Sequence, residues 1–317
     1  MEILKLSPVF KDYIWGGHRL QNDYGFNTGF DKTAEGWMLA CHKDGMNTID
    51  GGKYNGKTLQ EVIDIVGSEK LLGKRSANYP YFPILIKLID AYDNLSIQVH
   101  PDDKYAREVE NEFGKTEMWY VLDATDDATL IYGFKNEITR EEFKQAIENN
   151  TLLDKLNVVK VKKGDTFFIE AGTVHAIGKG AMIAEIQQNS NCTYRVYDYG
   201  RVGANGKPRE LHIQKAIDVS KTVAPKYDIK PMGETKYIDT NEIQLITKCD
   251  LFTVTRYKTK NSITLSASEN SFKHILVLEG SGKIQNKKAK KGDSFLIPAS
   301  YGEFTISGDL EFLVTKI

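Results

Sequence analysis

The sequence predicts a mainly β protein that contains two small β-barrels, with helical insertions in the first barrel. Most segments of the 317-residue chain are short β-type runs separated by clusters of Gly, Asn, Asp and Lys. An internal repeat adds to this pattern, because VKKGDTFFIEAGTVHAI from Val161 resembles AKKGDSFLIPASYGEFTI from Ala289, with the two Gly-Asp pairs in register. One barrel for each copy is the simplest account of the repeat.

Two segments show the spacing of a helix capping box. Thr58 and Glu61 lie at the start of KTLQEVIDIVGSEKLLG, and Thr139 and Glu142 have the same spacing in ITREEFKQAIENN. Helical periodicity follows each pair, so both pairs predict a helix start. The helical segment from Thr139 interrupts only the first copy of the repeat, which accounts for the different spacing within the two copies.

The stretch LSIQVHPDD predicts a strand whose two faces differ in polarity. The aliphatic face contains Leu95, Ile97 and Val99, and the polar face contains Ser96, Gln98 and His100. A solvated polar face is one interpretation. The other is a metal site, since Gln98 and His100 bring an amide oxygen and an imidazole nitrogen to one point. Pro101 favours an extended His100 at the strand end, and a third helix is predicted from Pro101, with Asp102 and Asp103 in its first turn.

Two further residues of the first copy are candidate metal ligands. Glu117 begins an apolar strand in GKTEMWYVL, and His175 lies in a Gly-flanked turn in EAGTVHAIG. Each alone is more typical of a structural residue, but inward-facing positions on barrel strands would bring both to Gln98 and His100. Two imidazoles, one carboxylate and one amide oxygen suit zinc, with Mn, Fe, Co or Ni as alternatives, whereas the missing thiolates exclude Cu(I).

The second copy lacks this set of ligands. Lys273 and Glu303 stand near the positions where the glutamate and the histidine of the first copy would fall. A charged lysine is not a metal ligand, so the second barrel is predicted to be free of metal.

Composition argues against several classes of partner. Lys and Arg number 42 and Asp and Glu 43, which leaves a net charge of -1 and no basic patch for nucleic acid or an anionic membrane. The most apolar run, YFPILIKLIDAY, is interrupted by Pro83 and Lys87, so no targeting or spanning segment is expected. The three cysteines are far apart and form no Cys-x-x-Cys pair, which favours reduced thiols in a cytoplasmic protein.

Several linked motifs of the chain resemble one enzyme family. The site resembles a cupin metal site in which Gln98 replaces the first of two neighbouring histidines. LSIQVHPDD, GKTEMWYVL, AGTVHAIG and EIQQNSNCTYRVYDYGR, together with YIWGG and AEGWMLACHKDG, resemble the type I mannose-6-phosphate isomerases in their short bacterial form. The resemblance covers essentially the whole chain. Gly36, Met38 and Glu170 depart from residues common in the family.

The resemblance implies a fold, an activity and a cofactor. The fold would be two cupin-type (jelly-roll) β-barrels, with residues 1–230 as the catalytic metal-binding domain and 231–317 as a degenerate cupin-like barrel. The activity would be interconversion of mannose 6-phosphate and fructose 6-phosphate, in mannose and carbohydrate metabolism, by proton transfer through a cis-enediol. Gln98, His100, Glu117 and His175 would bind one zinc ion per chain. A monomer or small homo-oligomer is expected.

The resemblance also assigns roles to residues around the metal. Arg195 would be catalytic, with Lys115 and Glu185 as further catalytic candidates, while Ser96, Lys115 and Arg195 would bind the substrate. Alternation in TYRVYD puts Arg195 on the strand face opposite that of Tyr194. The alternatives are a surface lysine at 115 and a structural ion pair between Glu185 and Arg195. The identity of the general base stays open.

Two other functions are compatible with the same residues. An iron-dependent cupin oxygenase would use the open metal positions for oxygen, and a test without oxygen would separate it from an isomerase. A non-catalytic sugar-phosphate-binding cupin would show no turnover at all.

Overall fold

The computed structural model describes residues 1–203 and 206–317. The helices are α1 Arg19–Asn22, α2 Leu59–Val66, α3 Ser68–Leu72, α4 Asp103–Val109, α5 Arg140–Glu148, α6 Leu152–Lys155 and α7 Ile213–Val219, with a 3₁₀ helix at Lys74–Asn78. Among the described residues, no helix has the length and apolar character needed to cross a membrane.

The strands outnumber the helices, which confirms the mainly β class. In the first half of the chain they are β1 Leu4–Ser7, β2 Val9–Lys11, β3 Glu35–Leu39, β4 Cys41–His42, β5 Gly45–Met46, β6 Thr48–Ile49, β7 Ile84–Asp90, β8 Ile97–Val99, β9 Glu117–Ala124, β10 Thr129–Phe134 and β11 Leu156–Lys160. They continue as β12 Thr166–Ile169, β13 His175–Ile177, β14 Ala181–Gln188, β15 Tyr194–Tyr197, β16 Lys236–Ile238, β17 Asn241–Lys248, β18 Thr253–Thr259, β19 Ser262–Ala267, β20 Lys273–Ile284, β21 Lys287–Lys290, β22 Ser294–Ile297 and β23 Gly302–Lys316.

Both predicted capping boxes are present. Thr58 and Thr139 cap α2 and α5, and in each box the glutamate three residues later bonds back to the backbone N–H of the threonine. Helix α4 begins at Asp103 and not at Pro101, because the Asp102 carboxylate accepts a hydrogen bond from the Tyr105 N–H and so caps the helix.

The chain forms two compact units. Unit 1 contains Met1–Val9, Trp37–Ile86 and Lys230–Ile317, and unit 2 contains Phe10–Gly36 and Lys87–Ile229. The division into a catalytic domain 1–230 and a degenerate barrel 231–317 stays a prediction, since compactness does not show which segment carries the activity.

Unit 2 has a core between two sheets. One sheet has the order β11-β10-β13-β8-β15, and the other has the order β12-β9-β14-β7-β3-β2. Residues of both sheets meet in one buried apolar cluster, which includes Ile89, Trp119, Leu130, Phe167 and Ile177. In the described residues these are open sheets packed face to face rather than closed barrels.

Helices cover the outer face of the five-stranded sheet. Ile97 and Val99 of β8 pack there with Phe143 of α5 and Ile217 of α7. Leu95 differs from the prediction, because it precedes the strand and packs in the cluster between the sheets. Both faces of this sheet are therefore buried, so the polar face of β8 points into the protein.

Unit 1 contains the second copy of the repeat, in a ten-stranded sheet. The two copies share a turn, in which the aspartate carboxylate accepts from a backbone N–H three residues earlier, at 3.0 Å for Asp165 and 2.9 Å for Asp293. The preceding Gly164 and Gly292 have φ values of 93° and 85°, which glycine adopts without strain. The repeat read from the sequence is thus a repeat in structure.

Candidate active site

Three neighbouring strands place a row of polar side chains on the inner face of the five-stranded sheet. Gln98 of β8 lies directly opposite His175 of β13 on one side and opposite Arg195 of β15 on the other. Residues directly opposite each other in a sheet point to the same face, so the three side chains stand side by side. The strand register therefore brings together residues that are far apart in sequence.

His100, Glu117 and His175 form a buried cluster at one end of this row. Their candidate ligand atoms all lie within 4.8 Å of one another. The Glu117 carboxylate approaches both imidazoles, with Oε2 at 3.5 Å from His100 Nε2 and Oε1 at 3.4 Å from His175 Nε2. The amide of Gln98 lies 3.4 Å from His175 Nε2. All four residues predicted as metal ligands are thus close together.

The chemistry of these atoms fits a divalent cation. Both oxygens of Glu117 and the Nε2 of His100 are buried without a hydrogen-bond partner among the described residues. Buried polar atoms are normally paired, so such a group of unpaired acceptors indicates a missing partner. A metal ion would satisfy the carboxylate and the imidazoles together.

The protonation states of the two histidines also suit a metal. Burial lowers the pKa of His175 to about 4 and that of His100 well below its ordinary value. Both imidazoles are therefore neutral at neutral pH, as metal ligation requires. The Nδ1 of His175 lies 2.9 Å from the Thr173 carbonyl oxygen. Donation to that oxygen leaves the lone pair on Nε2, which faces Glu117.

A cavity of about 250 Å³ lies beside this cluster. Gln98 lines it, together with six charged residues, which are Glu35, Lys87, Lys115, Glu185, Arg195 and Arg209. Lys115 is only 4% exposed and lies 3.4 Å from Glu117, so the alternative of a surface lysine is wrong. Ser96 also lines the cavity and is buried.

Arg195 faces this cavity, and its neighbour Tyr194 packs in the outer apolar cluster. Its Nε donates to Ser96 Oγ at 3.3 Å, and its Nη1 donates to the Glu210 carbonyl oxygen at 2.8 Å. The alternative of a structural ion pair between Glu185 and Arg195 is wrong, because Glu185 bonds elsewhere.

Sequence reasoning missed a buried group of three charges on the opposite sheet. Lys87 Nζ lies 3.3 Å from Glu35 Oε2 and 3.4 Å from Glu185 Oε1, and Trp119 Nε1 donates to Glu185 at 2.9 Å. From the sequence alone, Lys87 is only an interruption of an apolar run. A lysine inside ILIKLID, a strand buried along its whole length, was the signal for a buried functional charge.

The neighbouring charges set the ionisation of this group. Burial alone would lower the pKa of Lys87, but Glu35 and Glu185 outweigh it and raise that pKa above its ordinary value. Burial likewise opposes ionisation of Glu185, yet the Lys87 and Lys115 ammonium groups hold its pKa below the ordinary value. At neutral pH, Lys87 and Glu185 are therefore both charged.

The chain is similar to known proteins along its whole length. Residues 3–130 match the family model of the phosphomannose isomerase type I catalytic domain, and residues 241–317 match that of the mannose-6-phosphate isomerase cupin domain. Two relatives come from Bacillus subtilis. The probable mannose-6-phosphate isomerase GmuF is 41% identical, with 98% of each chain covered, and the mannose-6-phosphate isomerase ManA is 40% identical, with 100% of this chain and 99% of ManA covered. The crystal structure of the mannose 6-phosphate isomerase from the same organism superposes with a TM-score of 0.90 at 37% identity, and each chain is fully covered.

Proposed function

The chain belongs to the type I phosphomannose isomerase family, and we propose that it interconverts mannose 6-phosphate and fructose 6-phosphate by metal-assisted proton transfer through a cis-enediol. The observation that carries the mechanism is the His100, Glu117 and His175 cluster beside a cavity with charged walls. Cations stabilise the negative charge of an enediolate, and a carboxylate can carry the proton.

In this proposal Gln98, His100, Glu117 and His175 hold one zinc ion per chain. Two nitrogen ligands with a carboxylate and an amide oxygen are a set that zinc accepts, and none of them is a thiolate. When bound, the ion supplies a Lewis acid for the carbonyl and hydroxyl oxygens of the sugar.

Three residues of the cavity wall have catalytic roles in the proposal. Glu185 is ionised and faces the cavity, so it can accept the proton from carbon. Lys115 lies between the cavity and Glu117, where its ammonium group can donate a hydrogen bond to a substrate oxygen. Arg195 carries a permanent charge that stabilises the enediolate or orients the substrate, and Ser96 supports it.

A coupled assay on mannose 6-phosphate, before and after chelation, tests this function. We expect turnover without oxygen, loss of turnover on chelation, and recovery when zinc is returned. An oxygen requirement would favour a cupin oxygenase. Tight binding of the sugar phosphate without turnover would favour a binding protein.

The proposal extends to the setting of the enzyme. A cytoplasmic location is supported by the free thiols of Cys41, Cys192 and Cys249. We assign the catalytic role to the 1–230 segment because every charged residue of the cavity lies within it. A monomer or small homo-oligomer stays a prediction.

A further inference from the structure

We propose that Asp198 is a positioning residue that holds Arg209 in the cavity as a second guanidinium, beside Arg195, for the phosphate group of the substrate. This inference rests on the proposed function, since it concerns how the same cavity recognises a sugar phosphate.

The Asp198 carboxylate lies between two arginines. Arg209 Nε donates to Asp198 Oδ2 at 2.7 Å and Arg209 Nη2 donates to Asp198 Oδ1, so this pair is bidentate. Arg201 Nη2 donates to the same Oδ1 of Asp198, at 2.6 Å. The Asp198 side chain is only 6% exposed, and a bidentate bond to a buried carboxylate fixes the plane of the guanidinium.

Arg195 and Arg209 both line the cavity, and each has a guanidinium nitrogen that makes no hydrogen bond with the described residues. Nε and Nη1 of Arg195 are bonded to Ser96 and to the Glu210 carbonyl oxygen, whereas its Nη2 makes no hydrogen bond with the described residues. Both bonded nitrogens of Arg209 go to Asp198, which leaves Nη1 without a partner in the described part of the chain. Two guanidinium groups that are oriented by hydrogen bonds and still have free N–H donors can bind the several acceptor oxygens of a phosphate.

The charges in the cavity are unevenly distributed. Lys87 lies between two glutamates, and Lys115 lies beside Glu117, so these cations have carboxylate partners. Arg195 has no carboxylate within ion-pair distance in the described residues. Arg201 and Arg209 both pair with the single carboxylate of Asp198, which cannot neutralise both. Arg201 also approaches Asp93, which is half-exposed. Excess positive charge therefore lies at the arginine end, where a phosphate monoester would bring a charge close to -2.

The order of residues along β8 separates the metal cluster from the end of the cavity that contains Arg195 and Arg209. His100, Gln98 and Ser96 follow each other on the inner face, and the Arg195 guanidinium bonds to Ser96. Ser96 and Gln98 are about 7 Å apart along a strand. A hexose 6-phosphate has its reacting carbonyl and its phosphate at opposite ends, so it fits with C1 and C2 at the cluster and the phosphate at Arg195 and Arg209.

Kinetics of Asp198→Asn and Arg209→Ala test the inference. Both should raise the KM for mannose 6-phosphate and the inhibition constant of inorganic phosphate about 10- to 100-fold, as expected for losing a hydrogen bond to a charged group. The kcat should stay within about threefold, because phosphate binding acts equally on the ground state and the transition state. Arg209→Lys should recover only part of the affinity.

Asp90→Asn is the matched control. Asp90 is another buried aspartate of unit 2 held by an arginine, since it accepts from the Arg19 backbone N–H at 2.8 Å and lies 3.3 Å from Arg19 Nε, but it does not line the cavity. Its replacement should lower thermal stability and leave both constants unchanged. An equal rise in KM for Asp90→Asn and Asp198→Asn would overturn the inference, and so would an unchanged KM in Arg209→Ala. If the wild-type protein failed to turn over mannose 6-phosphate, calorimetric titration with inorganic phosphate would still decide whether Asp198 supports anion binding.

Discussion

Replacing Lys87 with Met removes the only cation from a buried group of three charges. Lys87 is 3% exposed, and its ammonium lies between Glu35 at 3.3 Å and Glu185 at 3.4 Å. Met has a similar length and fills the same space, so the change removes charge with little change in packing. Two buried carboxylates, Glu35 and Glu185, then lose their contact with the Lys87 ammonium group.

The expected cost is large because the partners are buried. Removing one member of a buried ion pair destabilises a protein by about 3–5 kcal/mol, since it leaves an uncompensated charge away from water. Adding Glu185→Gln to the Lys87→Met protein should recover part of this loss. The glutamine keeps an acceptor for Trp119 Nε1, which donates to Glu185 in the wild type.

The sign of the pH dependence follows from the two pKa shifts. The pKa of Glu185 is lowered on folding, so its stabilisation is present above its ordinary value of 4.5 and is lost as the pH falls through the lowered value. The pKa of Lys87 is raised on folding, so its stabilisation is present below 10.5 and is lost as the pH rises through the raised value. The difference between wild type and Lys87→Met should therefore be largest near neutral pH and shrink in acid.

Urea unfolding at pH 7 followed by tryptophan fluorescence measures this difference. Lys74→Met is the control, because Lys74 Nζ lies only 2.6 Å from Glu269 but both side chains are more than half exposed. We expect no measurable shift for the control, since exposed ion pairs contribute little. A wild-type urea midpoint in Lys87→Met, or equal shifts in the two variants, would refute the reasoning.

Three further predictions concern the metal site and the repeat. His100→Ala or His175→Ala should remove the metal and abolish isomerisation in a folded protein, and full metal content by elemental analysis would contradict the assignment. Arg195→Ala should lower kcat/KM about 10²- to 10³-fold with the metal retained, and Arg195→Lys should restore only part of it, whereas a raised KM at unchanged kcat would limit Arg195 to binding the phosphate. Wild-type turnover in Arg195→Ala would remove its catalytic role. Lys273→Ala and Glu303→Ala should keep one metal equivalent and near-normal turnover, so a second equivalent lost on mutating Glu303 would count against a single functional copy.

Local signals in the sequence predicted local structure well. The two capping boxes depend on residues three positions apart, and both Thr58 and Thr139 cap helices as predicted. The shared Lys-Gly-Asp turn likewise depends on four consecutive residues. Alternation within one short strand likewise placed Arg195 and Tyr194 on opposite faces, as observed, but it did not say which of the two faces the cavity.

Features that join distant segments were not predicted. The partners of Lys87 come from β3 and β14, which are about 50 residues before it and about 100 after it in sequence, and no pattern of period two or 3.6 links them. Arg209 enters the cavity because the chain turns back after Arg201, where Val202 pairs with Pro208. The spacing of residues in the sequence does not predict which residues pair when the chain turns back in this way.

Comparison with the second copy of the repeat indicates that the cluster of His100, Glu117 and His175 in unit 2 lowers the stability of the fold. Glu117 lies opposite Ile169, and Lys273 occupies the same place opposite Ile297. Glu303 is exposed, while the adjacent Phe304 packs in an apolar cluster that fills the second copy. The same strand pairing and the same turn are thus formed with an apolar interior. Because the second copy forms this strand pairing without a buried carboxylate at that place, burying Glu117 beside two imidazoles in unit 2 is a stability cost, and function at that site is the reason a sequence would keep it.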